Sequence, residues 1–259
     1  DLPDTLSFAG EKVPIDSPDL KERLDRELLV NTYWQSNMML LLKRANKFFP
    51  IIEKILKEEG VPTDLKYLSV IESGLENVIS PAGAKGFWQI MRTTGREYGL
   101  EVNSNVDERY HLSLSTRVAA EYLKKAKNRF GSWTLAAASY NRGISGIQKK
   151  LDVQKVESYF DLGLGQETSR YVFRILAIKE IIENPSKYGY VFDDSDLYFS
   201  VPVRYHGLDT AISNLTIFAQ KMGVNYKILK IHNPWLLQNH LNNRSRKYYE
   251  IAIPEKGHY

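Results

Sequence analysis

The 259-residue chain contains no cysteine. That removes disulfides, thiolate nucleophiles and cysteine-held metals. It leaves the compartment open, because an extracytoplasmic domain with an adequate core folds without disulfides. Long apolar runs are also missing. The longest, Met38-Met39-Leu40-Leu41-Leu42, stops at Lys43-Arg44, well short of the roughly 20 residues that cross a bilayer. The five histidines, His111, His206, His232, His240 and His258, show no H-E-x-x-H spacing, so no metal and no cofactor are expected. Gly163-Leu164-Gly165 is too short for a phosphate loop. Gly143-Ile144-Ser145-Gly146-Ile147 lacks the last glycine of a nucleophile elbow. A concentrated basic stripe is absent, and with it the mark of a nucleic-acid partner. The excess of basic over acidic residues is small, 35 against 31, and all of it falls in Asp196 to Tyr259, with 8 against 4. That is either a solvated face or a surface for an anionic polymer. There is no signal peptide. The first residue is Asp1 rather than Met, as in a mature or trimmed form.

What is present is an ordinary globular composition, 43% apolar and 25% charged, with a change of pattern near Gly189. Residues 1–16, with Pro3, Gly10 and Pro14, read as an extended N-terminal arm. Ser17-Pro18 starts a helix, on which Leu20, Leu24, Leu28, Val30 and Trp34 recur at helical spacing. Pro50 opens a further helix that Gly60 ends, and Thr63-Asp64 caps the next, which carries Glu72. Helices are predicted over 93–98, 114–130, 133–140 and 167–183. After Gly189, Leu197–Val203 reads as a strand, 209–222 and 226–231 as helices, and Tyr248–Ile253 as a closing strand. The fold class is mainly α (α+β): a helical domain over 17–190, then a small βααβ domain over 196–259. Trp34, Trp133 and Trp235 fit core packing.

Three segments could carry chemistry. Glu72 ends the apolar run Tyr67-Leu68-Ser69-Val70-Ile71 and precedes Ser73-Gly74. Taken alone it is a solvated helix-end glutamate or a general acid kept protonated by desolvation. Beyond it lies Ser80-Pro81-Ala82-Gly83-Ala84-Lys85-Gly86-Phe87-Trp88-Gln89. Its glycines permit close approach to a ligand. Ser80 and Gln89 offer neutral donors and acceptors, while Phe87 and Trp88 offer flat faces for sugar rings. The second segment, Ala136-Ala137-Ala138-Ser139-Tyr140-Asn141-Arg142-Gly143, is either tight packing with a cap or a site. The third, Glu167-Thr168-Ser169-Arg170-Tyr171-Val172, is either a capping box or a site.

Together, in this order and spacing, these segments resemble the soluble lytic transglycosylase family of peptidoglycan-cleaving enzymes (glycoside hydrolase family 23), in its membrane-bound lytic transglycosylase D subtype. The similarity covers about residues 20 to 190. It departs at Ser139, where alanine usually stands. Leu208 to Pro234, with Gly223-Val224-Asn225-Tyr226 and Asn233-Pro234, resembles a LysM module, in a divergent form.

The resemblance implies a goose-lysozyme-like helical fold followed by a LysM-like carbohydrate-binding domain. Glycan strands of peptidoglycan are the implied partner. The reaction would be non-hydrolytic cleavage between N-acetylmuramic acid and N-acetylglucosamine, leaving 1,6-anhydro ends. By carry-over Glu72 is the single catalytic residue, acid and then base. Ser73, Ser80, Phe87, Trp88, Gln89, Tyr140, Asn141 and Tyr171 are the substrate-binding set. The alternatives on the same residues are a lysozyme-type hydrolase and a non-catalytic wall-binding protein. The implied location is the periplasm, at the outer membrane of a Gram-negative cell, with a lipid anchor on a cysteine upstream of Asp1.

Overall fold

The computed structural model describes residues 2–259. In chain order the elements are strands β1 (Ser7–Phe8) and β2 (Glu11–Lys12), helices α1 (Pro18–Tyr33), α2 (Gln35–Glu58), α3 (Tyr67–Ser73), α4 (Arg92–Glu97), α5 (Leu112–Phe130), α6 (Trp133–Arg142), α7 (Ile144–Gln154) and α8 (Gln166–Glu183), strand β3 (Val203–Leu208), helices α9 (Leu215–Lys221) and α10 (Tyr226–His232), and strand β4 (Tyr249–Pro254). The fold is mainly helical, with two small antiparallel sheets, β1-β2 and β3-β4. Two compact units form, each discontinuous in sequence. The first holds residues 2–76 and Thr116–Tyr198; the second holds Asn77–Ser115 and Phe199–Tyr259.

In the first unit α8 is the centre. It packs against α1, α3 and α6, and from Tyr171 to Ile181 only Arg174 escapes burial. A helix apolar around most of its circumference can only be a core helix. The small side chains of Ala136, Ala137 and Ala138, all buried, let α6 approach it closely. Each Leu or Ile buried here contributes on the order of 1.5–3 kcal/mol.

Four expectations need correcting in this unit. Residues 1–16 are not merely extended. Ala9 and Gly10, at φ 51° and 79°, make a two-residue turn between β1 and β2, and Phe8 and Val13 are buried. Pro50 does not open a helix but lies inside α2. The buried stripe Met38, Leu41, Leu42, Ala45, Phe49, Ile52, Ile55 and Leu56 runs through it, and that packing offsets the lost backbone hydrogen bond. Thr63-Asp64 does not cap α3. It belongs to a 3₁₀ turn, and Asp64 instead accepts from the Ala9 amide at 2.8 Å. The apolar stripe of α1 ends at Leu28. Val30 and Trp34 are exposed, because α1 stops at Tyr33 and Trp34 takes a non-helical conformation. Ser17 stands at the N-cap of α1 but makes no capping hydrogen bond.

In the second unit β3 and β4 pair from Val203↔Pro254 to Leu208↔Tyr249. The strand predicted over 197–203 lies farther along, since only 203–208 matches the six residues of β4. The helix predicted from 209 starts at Leu215. There the Asn214 side chain accepts from the amides of Thr216 and Ile217, a stronger start signal than apolar spacing. The core joins Ile212, Leu215, Ala219, Leu229, Trp235, Leu236, Leu241, Tyr249, Ile251 and Ile253 to Val106. Asn233 ties α10 to β4. Its Nδ2 donates to the Ala252 carbonyl and its Oδ1 accepts from the Ala252 amide, both at 2.8 Å.

Candidate active site

Glu72 occupies the last turn of α3. The helix stops at once because Gly74, at φ 63°, takes the left-handed conformation. Its N–H bonds the Val70 carbonyl at 2.8 Å. Leu75 follows at φ 59°, so two successive left-handed residues turn the chain away just past the glutamate. From α2, Arg44 fixes this turn, donating to the Gly74 carbonyl at 3.2 Å and pairing with Glu76 at 2.9 Å. Ser73 turns back onto its own helix, donating to the Ser69 carbonyl at 3.0 Å.

The half-buried Glu72 carboxyl faces tyrosines from two helices. Tyr171 of α8, itself buried, donates its hydroxyl to Glu72 Oε1 at 2.5 Å. Burial pushes the Glu72 pKa above the usual carboxylate range. The Tyr171 hydrogen bond and the Arg174 charge oppose that rise without cancelling it, and Glu167 adds to it. Burial drives the Tyr171 and Tyr140 hydroxyls well above the ordinary tyrosine range, and the charge of Glu72 pushes both further. Both phenols therefore stay protonated at neutral pH, as donors beside an acid that holds its proton unusually long.

Tyr140 is set by α6, which Ser132 caps by accepting from the Leu135 amide at 3.2 Å. Its ring stands edge-on to Tyr122 of α5 at 5.4 Å, and Tyr122 is held by a 2.7 Å bond to the Ser139 carbonyl. Asn141 bridges α6 and α8. It donates to Glu167 Oε1 at 3.1 Å and accepts from Thr168 Oγ1 at 2.9 Å. The first unit thus brings together Glu72, Tyr140, Asn141 and Tyr171.

The remaining sequence candidates lie in the second unit, on a loop with its own internal order. Ser80 and Ala84 close a turn, in which the Ala84 amide donates to Ser80 Oγ at 3.0 Å. Lys85 bridges to Ile79 on one side and Ile90 on the other. Gln89 sits at φ 46°, an uncommon conformation for a side-chain-bearing residue. Its amide nitrogen bonds the carbonyls of Gly86 and Val78 at 2.9 and 3.1 Å. Gly86 is obligatory here, because a Cβ would come within 2.1 Å of the Arg109 carbonyl oxygen. Phe87 and Trp88 do not offer faces to a sugar. They are 5% and 0% exposed and build the base of the loop.

Residues 49–161 match the family described as the transglycosylase SLT domain. Residues 204–257 match the C-terminal LysM-like domain of soluble lytic transglycosylases. The chain thus carries an SLT transglycosylase domain followed by a LysM-like domain. The SLT match takes in Glu72, the 80–89 loop and Tyr140-Asn141, and it ends before Glu167 and Tyr171. Membrane-bound lytic murein transglycosylase D of Escherichia coli K12 is 27% identical over 262 residues, covering 98% of this chain and 56% of that protein. The protein of the same name from E. coli O6:H1 strain CFT073 matches to the same extent. The chain therefore spans about half the length of the curated relatives it matches. A solved structure of the lytic transglycosylase Slt from Pseudomonas aeruginosa aligns at 21% identity over 58% of this chain and 26% of that one, with a TM-score of 0.42.

Sequence reading missed Arg44 of α2 and, within the SLT match, Tyr122 and the pair Asp107–Arg109. Asp107 and Arg109 are both buried and joined by hydrogen bonds of 2.9 and 2.8 Å. Arg109 also reaches the carbonyls of Gly83 and Ile90 at 3.1 and 3.2 Å. An Asp-x-Arg in an irregular segment carries no periodicity. Only the burial of both charges marks it.

Proposed function

We propose that this chain is a peptidoglycan lytic transglycosylase in which Glu72 serves first as acid and then as base. The observation that carries this reading is the Glu72–Tyr171 pair, a carboxyl lifted by burial and gripped by a neutral phenol donor. In the first step the Glu72 proton goes to the glycosidic oxygen and the C1–O4 bond breaks, with the leaving N-acetylglucosamine taking that proton. The substrate's 2-acetamido group stabilises the charge at C1. In the second step the Glu72 carboxylate removes the proton of the 6-hydroxyl, O6 bonds to C1, and the 1,6-anhydro ring closes. No water is consumed, and Glu72 ends as it began. The Tyr171 donor supports the carboxylate between the two steps.

A single carboxylate suffices because the nucleophiles belong to the substrate, unlike the two-carboxylate scheme of most glycosidases. Ser73, Ser80, Gln89, Tyr140 and Asn141 are the proposed ligand contacts, on the family resemblance of their motifs. The division into a lysozyme-like domain over 17–190 and a LysM-like, sugar-binding domain over 196–259 belongs to the same proposal. So does a periplasmic location at the outer membrane with a lipid anchor. It is supported by the words "membrane-bound" in the name of the E. coli relative, while no helix of the described residues is long and apolar enough to cross a membrane.

The test is cleavage of purified sacculi by wild type and Glu72→Gln. The amide cannot donate the first proton, so soluble products should vanish while the circular dichroism stays unchanged. Equal release by both proteins overturns the role of Glu72.

A further inference from the structure

The C-terminal module of the second unit is built onto residues 101–111, the segment that in turn holds the loop carrying Ser80 and Gln89. Val106 sits in the module's core and bridges to Leu236. The Asp107 amide donates to the Trp235 carbonyl and the Leu237 amide to the Asn105 carbonyl, both at 2.9 Å. The Asn105 side chain completes the seam, donating to the His240 carbonyl at 2.9 Å and accepting from the Asn242 amide at 2.8 Å. Lys247 ion-pairs with Glu101 at 3.0 Å and with the buried Glu108 at 2.5 Å. Tyr249 of β4 donates to Glu101 at 2.7 Å. A tethered accessory domain has few contacts across its linker. This seam instead has the β-bridge, shared core and satisfied buried carboxylate of a single folding unit.

The same short segment, 101–111, grips the loop. Asp107 pairs with Lys85 at 3.3 Å and with Arg109 at 2.8 Å. The Arg109 guanidinium holds the Gly83 and Ile90 carbonyls, one on each side of Gly86, and its own carbonyl fills the space that a Cβ at position 86 would take. Position is passed from β4 and the 233–248 loop, through Glu101, Asp107 and Arg109, to the backbone on which Ser80 and Gln89 stand.

We infer that the LysM-like module is a positioning element of the substrate loop, with Asp107 and Arg109 as the positioning residues between them, and not only a surface for the wall. This rests on the proposed function, in which Ser80 and Gln89 contact the glycan. A module that sets the loop acts on binding of even a short soluble substrate, whereas a module that only anchors to the wall acts on insoluble sacculi alone.

Arg109→Lys keeps the charge and loses the two-pronged hold. Lys247→Met cuts the seam at its rim, away from the loop. Lys227→Gln, on a module face uninvolved in the seam, is the control. Each is made in the full chain and checked for wild-type circular dichroism. Two readouts follow: amide hydrogen exchange over residues 79–90, and steady-state kinetics on an un-crosslinked oligosaccharide of alternating N-acetylglucosamine and N-acetylmuramic acid. In Arg109→Lys and Lys247→Met the loop amides should exchange at least about tenfold faster, with those of α8 unchanged. KM should rise about tenfold with kcat within about threefold, as for lost ground-state positioning. Lys227→Gln should change neither. Wild-type exchange in the loop, or a defect seen only in adsorption to insoluble sacculi, overturns the inference. If the wild-type chain cleaves no glycan, the functional reading fails, and the exchange data still decide whether the module sets the loop.

Discussion

The Tyr171 hydroxyl donates a 2.5 Å hydrogen bond to Oε1 of Glu72, linking α8 to the end of α3 across 99 positions of sequence. This bond favours the ionised carboxyl and works against the larger effect of burial. Tyr171→Phe should therefore raise the Glu72 pKa further and, because Glu72 must start protonated as the acid, move the falling alkaline limb of the pH–rate profile upward. A hydrogen bond to a charged group is worth about 1.5–3 kcal/mol, so kcat should fall roughly 10- to 100-fold. A variant with wild-type kcat and an unmoved profile would remove Tyr171 from the mechanism.

Glu72 also leaves a mark on stability, with a definite sign. Its folded-state pKa lies above its unfolded value. The stability contributed by the protonated carboxyl is fully present below about pH 4.3 and is lost as pH rises through the folded value. Glutamine carries no such loss. Glu72→Gln should match the wild-type Tm near pH 4 and exceed it at pH 7.5. Scanning calorimetry at the two pH values checks this, and a variant less stable at pH 7.5 than at pH 4 relative to wild type contradicts it.

Glu11 gives the opposite case. Burial pushes its carboxyl up, but hydrogen bonds from Thr134, Trp133 and Ser132 together outweigh burial and hold it below the usual range. These bonds cap the start of α6, the helix that ends in Tyr140-Asn141. Glu11→Ala should cost about 1–2 kcal/mol at pH 7, as for a lost helix cap. Because the folded pKa is lowered, this contribution is present above the ordinary value and fades as pH falls through the lowered one. Urea titrations at pH 7 and pH 3 should show the gap between variant and wild type closing in acid.

Gly86→Ala should deform the loop, since both the left-handed φ of 81° and the 2.1 Å approach to the Arg109 carbonyl exclude a Cβ. The cost should exceed about 1 kcal/mol. Gly83→Ala has the same left-handed strain, φ 83°, with open space around its Cβ, and should cost less. Equal losses in the two variants would mean that the close approach does not matter.

Much of the candidate site is legible in the sequence, because its parts are local. Glu72 stands at the end of an apolar helix, with a glycine to stop it and a small-residue loop to follow. The Tyr-Asn pair sits between an alanine run and a glycine, and the spacing of the segments completes the resemblance. What could not be read were effects that depend on distant partners. Pro50 stays inside α2 because of a buried stripe that continues on both sides of it. The strand after Gly189 is placed by β4, about 50 residues later. The aromatic character of Phe87-Trp88 suggested sugar stacking, but burial assigns those rings to the base of the loop. Asp107–Arg109 has no local signal at all, and only the fold shows two buried charges clamped onto the 80–89 loop.

The most direct test of the account is mass spectrometry of the muropeptides released from sacculi by the purified chain. Ring closure by the 6-hydroxyl predicts anhydro-terminated products, each about 18 Da lighter than its reducing-end counterpart, the mass of the water that does not enter, and none from Glu72→Gln. Reducing-end products from the wild-type chain would contradict it and mark the enzyme as a hydrolase.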